Sequence, residues 1–276
     1  MLMPAIVGCS AVRVSYGQGP LLAYWWLDSQ VAFSAEQAPR VRAALADWFA
    51  WHRATQLPEY AQALDETTIL VAGNISPTQV CSVAEAWQRR AERAFERAVP
   101  AVAEQLRGLS TEQINHLERR QADKLQEAAA DHLQPDLAER RKAALTRSVD
   151  RAESLYGSLD EAQRQLLASS QAASPFDPER WLDERRARTV ELLRSLRQWQ
   201  AERADSATVQ AGVRRLAAEF GHSPRPGYQA YSRRLLQANC AQVAQLHNST
   251  SAAQRLRAAG KLAAWRDDLR SLADNR

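Results

Sequence analysis

Apolar residues recur along most of the chain at the three- and four-residue spacing of an amphipathic α-helix. Typical stripes are Val41, Leu45, Trp48 and His52; Val80, Val83, Trp87, Ala91, Ala94 and Phe95; and Ile114, Leu117, Gln121 and Leu125. The faces between the stripes carry charged runs such as ERRQADK and AERRK. Only 10 of the 276 residues are glycine and helix-forming residues dominate, so the pattern predicts an all-α protein.

One signal marks five predicted helix starts. In this capping box a Ser or Asp is followed three residues later by Gln, so that the short side chain bonds a backbone amide and the Gln reaches back. The pairs are Ser34 with Gln37, Ser76 with Gln79, Ser110 with Gln113, Asp160 with Gln163, and Ser251 with Gln254. Asp177 before Pro178 predicts a further start.

Glycine, proline and small polar residues interrupt the helical pattern at 72–74, 108, about 135, 157, 173–175 and 221–228. With the helix starts, these interruptions predict a bundle of nine or ten amphipathic helices. The interruption at SPFDP predicts a boundary at Ser174. It would separate an N-terminal helical lobe, 10–173, from a C-terminal lobe, 174–276, that packs on it.

The charge balance argues against a nucleic-acid partner. The chain has 36 basic and 32 acidic residues and a net charge of +4. An arginine stripe containing Arg89 and Arg93 could face phosphates, but Glu85, Glu92 and Glu96 are interleaved with it. We therefore expect these arginines to have a structural or anionic-lipid role.

The N-terminal stretch IVGCS resembles the lipobox of bacterial lipoproteins, in which a cysteine after small residues receives a lipid. The resemblance implies that Cys9 is lipidated and that residues 1–9 are a shortened signal segment. Ser10 after the cysteine implies the outer membrane, with the protein facing the periplasm. The alternative is an ordinary apolar N-terminus with a chance cysteine, because no Lys or Arg precedes Cys9.

If Cys9 is acylated in an oxidising compartment, Cys81 and Cys240 are left as a pair. We expect a disulfide between them, which would close a loop of well over a hundred residues and stabilise the fold by roughly 4 to 5 kcal/mol. Two buried thiols are the alternative.

No catalytic signature is present in the sequence. Phosphate-binding glycine loops and a GxSxG nucleophile elbow are absent, and the five histidines lack the spacing of a zinc site. We therefore predict no catalytic residue, no metal and no cofactor. A binding surface is the remaining candidate, formed by Trp25, Trp26, Trp48 and Trp51 with Arg89 and Arg93, although such tryptophans more often anchor a core.

Three stretches, together with the lipobox, resemble one family of Gram-negative lipoproteins known only as a domain of unknown function. They are GCSAVRVSYGQGPLLAYWWLD with the following QAPRVRAALADWFAWHR and LPEYA, then AASPFDPERWL, and finally CAQVAQLHNSTSAAQRLRAAGKLAAWRDDLRSLA. The resemblance implies an exported, lipidated, all-helical protein and implies no activity.

A second, local resemblance concerns ISPTQV, LSTEQI and LDEAQR, which are similar to the LTxxQ motif of Spy-type and CpxP-type periplasmic proteins. That resemblance implies binding of unfolded envelope clients, while Gln79 and Gln113 are interpreted as helix-start residues. The expected function is therefore binding of envelope proteins or peptides, as a chaperone or scaffold, by a lipid-anchored protein. The alternatives are a cryptic hydrolase of envelope material and a structural subunit of an envelope complex.

Overall fold

The computed structural model describes residues 11–274 and contains eleven α-helices and no strand within that range. In chain order they are α1 Ala11–Gly17, α2 Gly19–Val31, α3 Gln37–Leu70, α4 Pro77–Arg107, α5 Thr111–His132, α6 Leu137–Tyr156, α7 Glu161–Ala172, α8 Pro178–Ala201, α9 Ser206–Gly221, α10 Pro226–Asn248 and α11 Ala252–Asp274. The predicted all-α class is confirmed.

The helix count of eleven exceeds the predicted nine or ten for two reasons. The first is the short helix α1, which the sequence pattern did not indicate. The second is a turn after α8, where Arg203 adopts a left-handed conformation at φ 49° and Asp205 caps α9. Neither glycine nor proline marks that turn, so it was missed.

All five predicted capping boxes form, with a reciprocal pair of hydrogen bonds at each start. Four of the five glutamines also pair with each other. Gln37 and Gln113 join their side-chain amides at 2.7 Å, and Gln163 and Gln254 do so at 2.8 Å. Each pair therefore ties two helix starts that are far apart in sequence.

The two paired caps share one geometry. In each pair, the side-chain amide of each glutamine donates to a backbone carbonyl in the turn before the other helix. That carbonyl belongs to the residue two positions before the Ser or Asp of the other capping box. The acceptors are Gly108 for Gln37, Ala32 for Gln113, Ser249 for Gln163 and Ser158 for Gln254, at 2.9 to 3.1 Å. The side chains thus satisfy both the free amides of one helix and a turn carbonyl of another.

Turns are bonded to turns at both ends of the molecule. One end, which we call end A, joins the α2–α3, α4–α5 and α8–α9 turns; Gln200 donates to the Leu109 carbonyl and Arg107 to the Ala204 carbonyl. The opposite end B joins the α3–α4, α6–α7 and α10–α11 turns. Helix α3 runs between the two ends and is roughly 50 Å long.

At end B the side chain of Asn248 forms two hydrogen bonds with the backbone of Ile75. Its Oδ1 accepts from the Ile75 amide at 2.8 Å, and its Nδ2 donates to the Ile75 carbonyl at 2.9 Å. Beside it, the fully buried His247 bonds the Gly73 carbonyl through Nε2 and the Tyr156 hydroxyl through Nδ1. Burial lowers the pKa of His247, in keeping with a neutral ring whose Nδ1 accepts from tyrosine.

A disulfide joins Cys81 of α4 to Cys240 of α10, with Cα atoms 5.5 Å apart. It links positions 159 residues apart, and in the chain-entropy model a loop of that length contributes about 5 kcal/mol to stability. Helices before and after Ser174 pack on each other, as α10 does on α4 and α11 on α3. The two-lobe division at that residue stays a prediction.

Helices α4, α5, α8 and α9 form an up-and-down four-helix unit in which α4 packs on α9 and α5 packs on α8. Its core is filled at end A, where the indole of Trp199 lies against α9 next to Gly212. The core comprises Val99, Ala103, Leu109, Ile114, Leu117, Leu193, Leu196, Trp199, Val209 and Val213. A Cβ atom at position 212 would overlap the indole ring.

Replacing Gly212 by Ala is therefore expected to lower the free energy of unfolding by about 1–2 kcal/mol, because the buried indole must move. The matched change Gly260→Ala, also inside a helix but with nothing within 4 Å of the new Cβ, is expected to raise stability by about 0.5–1 kcal/mol. Denaturant unfolding of both variants checks this. An equal effect at the two positions would contradict the packing at end A.

The paired caps predict energetic coupling between helix starts. Gln37→Ala and Gln113→Ala are each expected to cost about 1–2 kcal/mol, and the double variant about 1 kcal/mol less than their sum. The control pair Gln37→Ala with Gln254→Ala lies at opposite ends and should be additive within about 0.5 kcal/mol. Additivity in the first pair would show that the amide contact contributes nothing.

Candidate functional site

The candidate site is a groove of about 940 Å³ between the α4–α9 and α5–α8 pairs. It borders the core of the four-helix unit, because Val213 belongs to both, and it extends away from end A. Most of its lining is apolar. The apolar side chains are Ala91, Phe95, Val102, Leu106, Leu125, Leu192, Val213, Leu216, Ala217, Ala218 and Phe220. Two phenylalanines remain accessible at the mouth, Phe95 with 39% and Phe220 with 70% of its surface exposed.

The groove continues the interior stripe of each helix. On α4 the stripe that buries Val99 and Ala103 at end A includes Phe95 and Val102, and on α9 the stripe of Val213 continues to Phe220. At end A the stripes of all four helices meet. Farther along they line open space, so apolar positions that would ordinarily pack as core are left available to a ligand.

Charged side chains form the rim, and several are held in ion pairs. Arg214 of α9 bonds Glu96 of α4 at 2.8 Å, within the α4–α9 pair that forms one side of the groove. Glu191 is bonded by Arg194 and by Arg215, at 2.8 Å each, and these hydrogen bonds lower its pKa.

Beneath the rim lies the buried carboxylate of Glu184, bonded by Arg188 at 2.8 Å and by Arg225 at 2.7 Å. Burial alone would raise its pKa, but hydrogen bonds from Arg225, Ser223 and Arg188 outweigh burial and lower it. The guanidinium of Arg188 also lies 4.7 Å from the centre of the Phe220 ring. This network fixes the α8 wall to the α9–α10 turn.

Two basic rim residues have no acidic partner. Within residues 11–274, Lys124 on α5 and Arg185 on α8 form no ion pair, and the guanidinium of Arg185 lies 4.8 Å from the centre of the Trp181 ring. Both stand on the α5–α8 side of the groove. That side therefore offers positive charge beside an apolar floor.

The six side chains predicted as a binding surface do not line the groove and do not form one patch. Trp25 and Trp26 are exposed on α2, at 57% and 58%, so the alternative interpretation as core anchors is wrong for these two. Arg89 is exposed on α4, and Arg93 pairs with Glu59 of α3. The lipidation candidate Cys9 lies outside the described residues.

Trp48 and Trp51 belong to a half-buried aromatic cluster centred on His52. The imidazole stacks on Trp48 with ring centres 4.6 Å apart, and its Nδ1 lies 2.8 Å from the Tyr16 hydroxyl. Burial lowers the pKa of His52 and raises that of Tyr16 to about 12. The cluster has a structural role. The neutral His52 ring accepts a hydrogen bond from a tyrosine hydroxyl, as His247 does at end B.

Sequence reasoning identified Phe95 as part of a core stripe and did not single out the α9 stripe. The spacing of Val213, Leu216 and Phe220 fits one helical face, so the sequence alone could have identified this apolar stripe. Over the part of the chain that the structure describes, no group of three or more His, Cys, Asp or Glu is placed to hold a metal ion. No described helix is both long and apolar enough to cross a membrane.

Comparison with known proteins identifies one family. A family model described as a family of unknown function, DUF6279, matches residues 30–211. The chain belongs to this family. The matched range contains α3 to α8 and the first residues of α9, and so includes three walls of the groove and the whole of end A, while Phe220 lies beyond it. No curated protein and no solved structure matches the chain significantly.

The environment of His52 predicts an acid-sensitive contribution to stability. Since its pKa is lower in the folded than in the unfolded protein, the contribution is complete above about pH 6.5 and is lost as the pH falls toward the lowered value. In His52→Gln the fall in unfolding free energy below pH 6.5 should be shallower than in wild type. The exposed His222→Gln is the control, and equal slopes in all three proteins would contradict the assignment.

Proposed function

We propose that this protein is a lipid-anchored, periplasm-facing scaffold or chaperone that binds segments of envelope proteins in the groove of the four-helix unit. One observation carries the proposal. The core near end A fills only part of the interior of the four-helix unit, which leaves an apolar groove of about 940 Å³ with two exposed phenylalanines. The outer-membrane location rests on the lipobox resemblance of Cys9.

The occupant that we propose is an amphipathic helix with carboxylates beside its apolar face. The groove walls are four helices, and a further helix packs against such walls at about 8–10 Å between axes. The unpaired charges of Lys124 and Arg185 complement an acidic edge. The similarity of the helix starts to the LTxxQ motif contributes only the idea of a client, because Gln113 is engaged in a paired cap.

Hydrolysis of envelope material has less support. None of the described residues that line the groove is a serine or cysteine, and its histidine, His222, is exposed on the rim. A binding function needs only the shape, the apolar floor and the charges already described.

The test measures fluorescence anisotropy of a labelled synthetic helix of about five turns, with leucines along one face and glutamates beside them. Phe95→Ser with Phe220→Ser is expected to weaken binding on the order of tenfold or more, because the apolar contacts at the mouth are lost. The matched control Ile69→Ser with Leu256→Ser removes exposed apolar residues elsewhere and should leave affinity unchanged.

Charge is tested with a second peptide in which lysines replace the glutamates. It should bind more weakly than the acidic peptide to wild type, and Lys124→Glu with Arg185→Glu should reverse the preference. Absence of binding by either peptide, or equal affinity in the phenylalanine and control variants, would overturn the proposed groove function.

A further inference from the structure

Helix α2 exposes a continuous apolar face. Leu21, Leu22, Trp25 and Trp26 lie on one side of the helix and are 41 to 58% exposed. The opposite side of α2 buries Tyr24 and Gln30. The exposed face is therefore a surface of a well-packed helix, and its side chains are not required by the core.

The chain around this face carries almost no charge. Within residues 1–27 the single charged side chain is Arg13, and it bonds Asp268 of α11 at 3.2 Å. The first acidic residue is Asp28, near the end of α2, where its carboxylate accepts the Phe33 amide. A stretch this poor in charge, with Val14 of α1 also exposed, is unusual in a chain of which 25% of the residues are charged.

We propose that the face of α2 formed by Leu21, Leu22, Trp25 and Trp26 rests in the interfacial region of a lipid bilayer. Tryptophan is favoured there because its ring is apolar while its N–H bonds water or headgroups. With 13 residues, α2 is too short to cross a bilayer, and its exposed apolar side chains all lie on one side, so the helix would rest in the plane of the interface.

The place of the face in the chain favours a bilayer as the occupant. Cys9, the lipidation candidate, stands two residues before α1, and the residues between Cys9 and Asp28 contain one charged side chain, that of Arg13. Lipid on Cys9, if attached, would hold α2 at the membrane, but the face is apolar without it.

A second copy of the chain is the competing occupant, and the size of the face disfavours it. The two half-exposed tryptophans offer roughly 200 Å² of apolar surface between them. A stable protein interface buries about 800 Å² on each partner, which four side chains of one short helix do not supply. The proposal stands on α1 and α2 and does not depend on what the groove binds.

The first experiment uses the full chain with Cys9→Ser, so that no lipid is attached, and vesicles of phosphatidylethanolamine and phosphatidylglycerol. Flotation measures the bound fraction. Trp25→Ser with Trp26→Ser is expected to reduce partitioning on the order of tenfold, because both interfacial rings are lost. Ile69→Ser with Leu256→Ser removes two other exposed apolar residues and should leave partitioning unchanged.

The second experiment decides the case in which the free protein partitions too weakly to measure. The Cys9 thiol is coupled to a maleimide lipid, since Cys81 and Cys240 are joined in a disulfide, and the vesicles contain brominated lipid. Tryptophan fluorescence should be quenched in the wild-type sequence, and that quenching should be absent from Trp25→Phe with Trp26→Phe. Circular dichroism and thermal unfolding establish that each variant is folded.

Two results would overturn the proposal. The first is that Trp25→Ser with Trp26→Ser partitions onto vesicles as strongly as the control variant and that brominated lipid does not quench Trp25 and Trp26. The other is a wild-type dimer in light scattering that the Trp25→Ser with Trp26→Ser variant converts to a monomer, because a second copy would then cover the face.

Discussion

The paired capping boxes are the constraint on which the rest of the structure depends. A helix start leaves backbone amides without partners, and a turn leaves carbonyls in the same condition. In this protein one glutamine side chain serves both needs, as Gln37 does for its own helix start and for the turn at Gly108. Since Gln113 does the same in return, the two helices cannot slide relative to each other without breaking both sets of hydrogen bonds.

Fixed helix starts explain why the four-helix unit is closed at one end. At end A the turn bonds and the contact of Trp199 with Gly212 bring all four interior stripes together. Away from that end, the α8 wall is attached to the α9–α10 turn through the buried Glu184 and its two arginines. A buried carboxylate with two partners is costly to disturb, so this network keeps the groove wall in place. The groove is therefore a consequence of how the helix ends are anchored.

The sequence predicted local features well and long-range ones poorly. The start at Ser110 could be recognised because its capping box lies within four residues, whereas nothing in the sequence indicated that Gln113 also pairs with Gln37, 76 residues away. Trp25 and Trp26 show the same limit, because helical spacing does not reveal which face lacks a neighbour. The groove could not be predicted for a related reason: Phe95 has the spacing of a core residue, but in the structure it lines the groove and is 39% exposed.

We propose that another molecule binds at the open end of the four-helix unit. Hydrogen exchange measured by mass spectrometry, with and without the acidic amphipathic helix, distinguishes this site from the other surfaces of the protein. Binding in the groove should slow exchange in 88–96 of α4 and 213–222 of α9 and should leave exchange in α2 and α11 unchanged. Unchanged exchange in both groove segments at saturating peptide, or protection confined to α2 or α11, would contradict the proposal.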